Sequence, residues 1–240
     1  MKNYLLIHGA WGAAWEFEKV SELLSADGSK VTAIDLPGHG ENKADISAVT
    51  MESYIQTVIN AVNEQNQRVI LVGHSLAGAI ISQVAERIPE KIDRLIYVAA
   101  MLLANGDTPL SVMQNDAEGY LLPNTIFSKD GSYATLNEKT VRNVLLNDVE
   151  DKSYLDSIVH KFLFKQATEP FMAPAQLSSE KFGRVKKYYI KASIDKVISP
   201  AAQDKMLDNW AVDKVFTLKS GHFPLTSIPA QLVDVIKQSI

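Results

Sequence analysis

The 240-residue sequence contains no cysteine. That excludes a disulfide framework, an iron–sulfur cluster, a thiolate zinc site and a cysteine nucleophile. A basic surplus is missing too: 24 Lys and Arg face 28 Asp and Glu, a formal charge of −4, so a nucleic-acid partner is not expected. No apolar run approaches the roughly 20 residues of a membrane span, and no membrane partner is expected. The opening MKNYLLIHGAWGAAW carries an apolar core, Tyr4–Ile7, well short of the roughly 7–15 residues of a signal-peptide core. It reads as a buried strand, and a cytoplasmic location is the default expectation. What the chain does have is an ordinary balance of 46% apolar and 22% charged residues, enough to bury one substantial core.

Short apolar runs recur at Tyr4–Ile7, Lys30–Ile34, Arg68–Val72, Leu95–Ala99, Lys187–Lys191 and Lys214–Leu218. Each is bounded by turn residues and has the unbroken character of a strand buried on both faces. Amphipathic helix patterns lie between them, at about 16–26, 51–65, 78–88, 200–210 and 228–239. Such alternation predicts an α/β fold with a mostly parallel six-stranded sheet flanked by helices. The alternation breaks between about 105 and 182, where helical patterns at Leu136–Leu146 and Ser153–Leu163 replace buried strands. We expect a core of residues 1–104 and 183–240 and a helical cap, or lid, of residues 105–182.

Val69-Ile70-Leu71-Val72-Gly73-His74-Ser75-Leu76-Ala77-Gly78 carries the strongest chemical signal. A buried strand ends, a tight turn presents Ser75, and a helix of small residues begins, as in a nucleophile elbow. The usual G-x-S-x-G is altered, with Ala77 in its last place and the glycine one position later, at Gly78. On this kind of fold the acid follows the nucleophile and the base comes last. His222, in Ser220-Gly221-His222-Phe223-Pro224 after the final strand, is the candidate base. His160 sits within a helix pattern of the insertion, and His8, His39 and His74 read as loop residues beside or before the nucleophile. Asp195, in the loop after Lys187–Lys191, is the candidate acid, with Asp107 as the alternative; Asp35 is expected to tie loops together. The backbone N–H groups of Leu76 and Ala10 are the expected oxyanion-hole donors. His8-Gly9-Ala10-Trp11-Gly12 is neither G-x-G-x-x-G nor a Walker A sequence, so a phosphate loop is not indicated.

Together LLIHGAWGAAW, KVTAIDLPGHG, VILVGHSLAG, YYIKASIDKVISP and SGHFPLTSIPAQL resemble the α/β-hydrolase superfamily across essentially the whole chain. The likeness is greatest to its small cofactor-free branch of plant methylesterases, plant hydroxynitrile lyases and bacterial pyrethroid-type carboxylesterases. That resemblance implies a sheet without the first two strands of larger members and a mostly helical cap. It also implies ester hydrolysis through Ser75, His222 and Asp195, with no cofactor and no metal. Hydroxynitrile lyases similar to this chain carry lysine directly after the catalytic histidine, where Phe223 stands here. A non-enzymatic small-ligand receptor on the same fold is the other alternative. Trp11, Phe127, Phe162 and Phe223 are the candidate substrate contacts, and a neutral small-molecule ester is the expected partner.

Overall fold

A computed structural model describes residues 1–240. In its core, β1 (Asn3–Ile7) leads to α1 (Glu18–Ser25), β2 (Lys30–Ile34), α2 (Met51–Asn63), β3 (Val69–His74), α3 (Ala77–Arg87) and β4 (Ile92–Val98). The insertion holds α4 (Pro109–Gln114), β5 (Ile126–Phe127), β6 (Tyr133–Thr135), α5 (Glu138–Thr140), α6 (Lys152–Ile158), β7 (Gln166–Ala167) and α7 (Glu169–Met172). The core resumes with β8 (Lys186–Ala192), α8 (Pro200–Leu207), β9 (Lys214–Leu218), α9 (Pro224–Ser227) and α10 (Pro229–Gln238).

All six core strands run parallel, in the order β2-β1-β3-β4-β8-β9. Every residue of β1 and β3 is buried, as the unbroken apolar runs require of central strands covered on both faces. Helix α1 packs on α10 and α2 on α3. From β1 the chain moves to one side, to β2, and from β3 to the other, to β4. The loops after β1 and β3 therefore part, opening a crevice at the carboxyl edge where α/β sheets bind their ligands. No helix is long and apolar enough to cross a membrane.

The insertion differs from the expected helical cap. Strands β5, β6 and β7 form a separate three-stranded antiparallel sheet. Strands of two or three residues are too short to carry a readable alternation, so the sequence shows only the helices around them. The expected helix at Leu136–Leu146 shrinks to α5 followed by a wider turn over Val141–Leu145, and Ser153–Leu163 becomes α6 closed by a 3-10 turn at Val159–Phe162. One tie between insertion and core is the Glu169 carboxylate, which accepts the Met51 N–H at 2.6 Å, at the start of α2.

Candidate active site

Three non-glycine residues adopt left-handed φ, Trp11 at 53°, Ser75 at 55° and Ala99 at 44°. They follow β1, β3 and β4, three adjacent strands, and so cluster at one edge of the sheet. Each such residue costs about 1–3 kcal/mol and survives only where its surroundings over-determine it. At Ser75 they do: its N–H donates to Val98 O at 3.2 Å, and its carbonyl accepts from Gly78 N at 3.1 Å and Met101 N at 2.9 Å. The displaced glycine of the elbow now has a reason. A Cβ on Gly78 would stand 2.5 Å from Met101 O, so the position that cannot carry a methyl is 78, while Ala77 fits fully buried. A Cβ on Gly9 would stand 2.7 Å from the Ser75 Cβ, which makes that glycine the floor against which the serine rests.

His222 Nε2 lies 2.8 Å from Ser75 Oγ, and His222 Nδ1 lies 2.7 Å from Asp195 Oδ2. Asp195 and His222 are buried, and Ser75 is 9% exposed. The carboxylate is held from its other side, since Asp195 Oδ1 accepts the N–H of Val197 at 2.7 Å and of Ile198 at 3.1 Å. The Asp195 carboxylate therefore accepts the hydrogen bond of His222 Nδ1–H, which keeps the proton on that nitrogen and leaves the Nε2 lone pair facing the serine hydroxyl. Asp107, the alternative acid, lines a different cavity with Ser111, Asn115 and Lys205. Asp35 does tie loops, accepting Ala14 N at 2.7 Å and Glu41 N at 2.9 Å. The N–H groups of Ala10 and Leu76 donate to no protein atom, and both belong to turns beside Ser75.

Other polar residues hold this arrangement without any sign in the sequence. Gln203, fully buried on α8, accepts Ala192 N at 3.0 Å and donates to Ala192 O at 3.1 Å and Ile198 O at 2.8 Å, pinning the loop that carries Asp195. Asp148, from the insertion, accepts Gly221 N and Ser227 Oγ, both at 2.7 Å, on the two sides of His222. Neighbouring Asn147 donates to Ile194 O at 3.1 Å. Only the tertiary fold turns these polar side chains toward the site, with Gln203 fully buried and Asn147 and Asp148 half-buried.

The four candidate substrate contacts separate. Trp11 and Phe127 face one apolar cavity of about 170 Å³, together with Leu110, Met113 and Phe171. Phe162 and Phe223 do not line it. Both are buried, packed edge to face on each other at 5.2 Å. Phe223 also lies against the rings of His74 and His222 at 4.5 and 5.4 Å. Sequence shows that these rings are apolar but not which face they take; burial makes them the wall behind His222 instead of a substrate surface.

His8 directly follows β1, His39 lies in the turn closed by its N–H to Leu36 O at 3.0 Å, and His74 ends β3. All three are buried, and burial holds the rings of His8 and His74 well below the ordinary histidine range and pushes His39 down to about 4. His74 Nε2–H donates to the His222 carbonyl at 2.8 Å, leaving Nδ1 toward the fully buried Glu16 carboxyl at 3.6 Å. Burial raises Glu16 well above the usual carboxyl range, so a neutral acid faces a neutral ring. The unfolded chain binds more protons at the histidines below their ordinary value of 6.5, so the stability gained from keeping them neutral is lost as pH falls from there toward 4. Glu16 acts in the opposite sense: its folded form keeps a proton that the unfolded chain releases above 4.5, so its contribution is lost as pH rises. Glu16→Gln, which keeps shape and a donor for His74, should be more stable than the parent at pH 8. The gap should shrink toward pH 5, by at most about 1.4 kcal/mol per pH unit. Parallel urea titrations at several pH values measure it; a gap independent of pH would mean that Glu16 is ionised in the fold.

Residues 4–235 match the alpha/beta hydrolase family. Methylesterase 9 of Arabidopsis thaliana is 26% identical to this chain over 248 residues, covering 98% of this chain and 96% of that one. The alpha-hydroxynitrile lyase of Arabidopsis thaliana is 29% identical over 246 residues, 97% of this chain and 94% of that one. A pyrethroid hydrolase from Sphingobium faniae JZ-2 superposes with a TM-score of 0.86 at 28% identity, over 99% of this chain and 96% of that chain. With its six-stranded parallel sheet, a serine on a left-handed turn after β3 and a family match that spans nearly its whole length, the chain belongs to the α/β-hydrolase family.

Proposed function

We propose that the protein is a carboxylesterase in which Ser75 is the nucleophile, His222 the general base and Asp195 the orienting acid. The observation that supports this most is the line of contacts from Ser75 Oγ to His222 Nε2 at 2.8 Å and from His222 Nδ1 to Asp195 Oδ2 at 2.7 Å. His222 takes the serine proton as Ser75 attacks the ester carbonyl, and returns it to the departing alcohol. Water, activated by the same imidazole, then releases the acyl group. The N–H groups of Ala10 and Leu76 hold the oxyanion, each typically worth about 2.7–4 kcal/mol in the transition state.

The apolar cavity that shares Trp11 with the oxyanion loop takes the apolar part of the ester. None of its lining side chains is charged, so neutral esters are favoured over acyl-CoA or phosphorylated ones. Each methylene buried there contributes about 0.8 kcal/mol, roughly fourfold in kcat/KM. A cyanide-releasing reaction lacks support, because Phe223 is buried against His74 and Phe162 and brings no cation to the serine. Cytoplasmic residence is part of the proposal.

A series of p-nitrophenyl esters from acetate to palmitate tests it. kcat/KM should climb through the short acyl chains and fall once the cavity is full. Efficient hydrolysis of emulsified long-chain triglyceride, or a strong preference for acyl-CoA, would overturn the substrate reading. Binding of neutral esters without turnover would favour the receptor instead.

A further inference from the structure

We propose that Gln166, a residue of the insertion, is a positioning residue of the oxyanion loop: it holds Trp11 in its left-handed turn and thereby aims the Ala10 N–H. The inference rests on the esterase reading above and goes beyond it.

Trp11 adopts φ 53°, directly after the proposed donor. Its N–H donates to Gln166 Oε1 at 3.1 Å, and its indole N–H to Ala134 O at 3.3 Å. Those two acceptors come from one cross-strand pair, since Ala134 faces Gln166 in the β6–β7 ladder. The small sheet of the insertion thus grips both ends of one tryptophan. The other half of the Gln166 amide is committed as well, with Nε2 donating to Tyr54 OH at 3.1 Å and to Ala167 O at 3.0 Å. The Tyr54 hydroxyl in turn donates to His39 Nε2 at 2.9 Å, and His39 Nδ1–H donates to Gly12 O at 2.8 Å. The path leaves the loop at Trp11 N–H and returns to it at Gly12 C=O, closing a ring of hydrogen bonds around residues 11 and 12.

Every member is buried, with Gln166 and Tyr54 at 0%, Trp11 at 2% and His39 at 3% exposure. Water therefore cannot replace a lost partner without a cavity forming for it. An amide suits this position because it must accept from Trp11 and donate to Tyr54 at once. His39 is kept neutral, down to about 4, and that keeps its Nε2 an acceptor. The Trp11 side chain lines the apolar cavity, and its indole is held there by the Ala134 carbonyl, a contact that does not involve the Gln166 amide.

The test is Gln166→Met, close in size and without hydrogen bonds, read by active-site titration with p-nitrophenyl butyrate. The burst amplitude counts competent sites, and the steady-state rate divided by that count gives turnover per site. We expect a 10- to 100-fold loss per site with KM within about twofold of the parent. Inhibition by an alkyl boronic acid, whose tetrahedral adduct places an oxygen on the same donors, should weaken in proportion. A purely structural role would lower the burst amplitude and leave turnover per site unchanged, which would overturn the proposal. Should Gln166→Met fail to fold, Tyr54→Phe decides: a loss of threefold or more per site supports the ring, and a smaller one overturns it. Ser75→Ala run beside them keeps the two readings apart. If Ser75→Ala still turns over, the esterase assignment fails; if only Ser75→Ala is affected, the positioning role fails.

Discussion

Ser75→Ala is expected to lower turnover of a p-nitrophenyl ester by about 10⁶-fold, the scale of losing a triad nucleophile, with the fold intact. The loss is large because the chain offers no substitute. It has no cysteine. The side-chain partners of His222 are Ser75 on one ring nitrogen and Asp195 on the other. What remains is the help that the proposed oxyanion donors and the apolar cavity would give to attack by water. Mass spectrometry after treatment with a fluorophosphonate supplies the direct check, with one adduct on Ser75 in the parent and none in Ser75→Ala. An adduct on any other side chain would show that the nucleophile is elsewhere.

Asp195→Asn should lower kcat by about 10⁴-fold near neutral pH, and the surroundings of the carboxylate explain why. Asp195 Oδ1 accepts two backbone N–H groups, from Val197 and Ile198. In the variant the amide oxygen will keep those bonds, because an NH₂ facing two N–H donors would leave three buried donors unpaired. The NH₂ is then turned toward His222 Nδ1, which must become the acceptor. The imidazole proton moves to Nε2 and points at Ser75, and the base can no longer take the serine proton. Asp107→Asn, measured alongside, should stay within about threefold of the parent. The reverse ranking, with Asp195→Asn mild and Asp107→Asn crippling, would reassign the acid.

Much of this was legible in the sequence because the features involved are local. The central strands β1 and β3 are nearly continuous apolar runs, while β2 and β9, at the two edges of the sheet, are shorter mixed runs that stay largely half-buried or exposed; the parallel sheet follows from their alternation with amphipathic helices. The elbow is a strand, a turn and a helix in ten consecutive residues, and its departure at Ala77 makes sense once Met101 is found against Gly78. His222 and Asp195 could be placed because each follows a recognisable strand. The insertion was less legible. Two-residue strands have no period to detect, and Gln166 and Gln203 are polar residues whose burial, and Asp148 one whose partners, depend on segments far away in the chain. Phe162 and Phe223 show the same limit for apolar residues, since the identity of a ring does not say whether it faces substrate or core.

The distances along the chain between the groups that meet at the site have a consequence for how the protein comes to life. Ser75 and its proposed base His222 are 147 residues apart, and Trp11 and Gln166 are 155 apart. Contacts of such long sequence separation are the slow ones in folding, since large loops must close before they are rewarded. At about 5–20 residues per second of synthesis, Ser75 is made roughly 7–30 s before His222. Through that interval the nascent chain carries Ser75 and the glycine-rich loop without His222 or Gln166 in place, and on the proposed mechanism a serine without its base is a weak nucleophile. On that reading activity requires β9 to be docked on β8, the pairing that brings the His222 loop to the sheet edge. Recovery of esterase turnover after dilution from denaturant would consequently time the assembly of these distant segments, the insertion and the C-terminal strand, around the elbow.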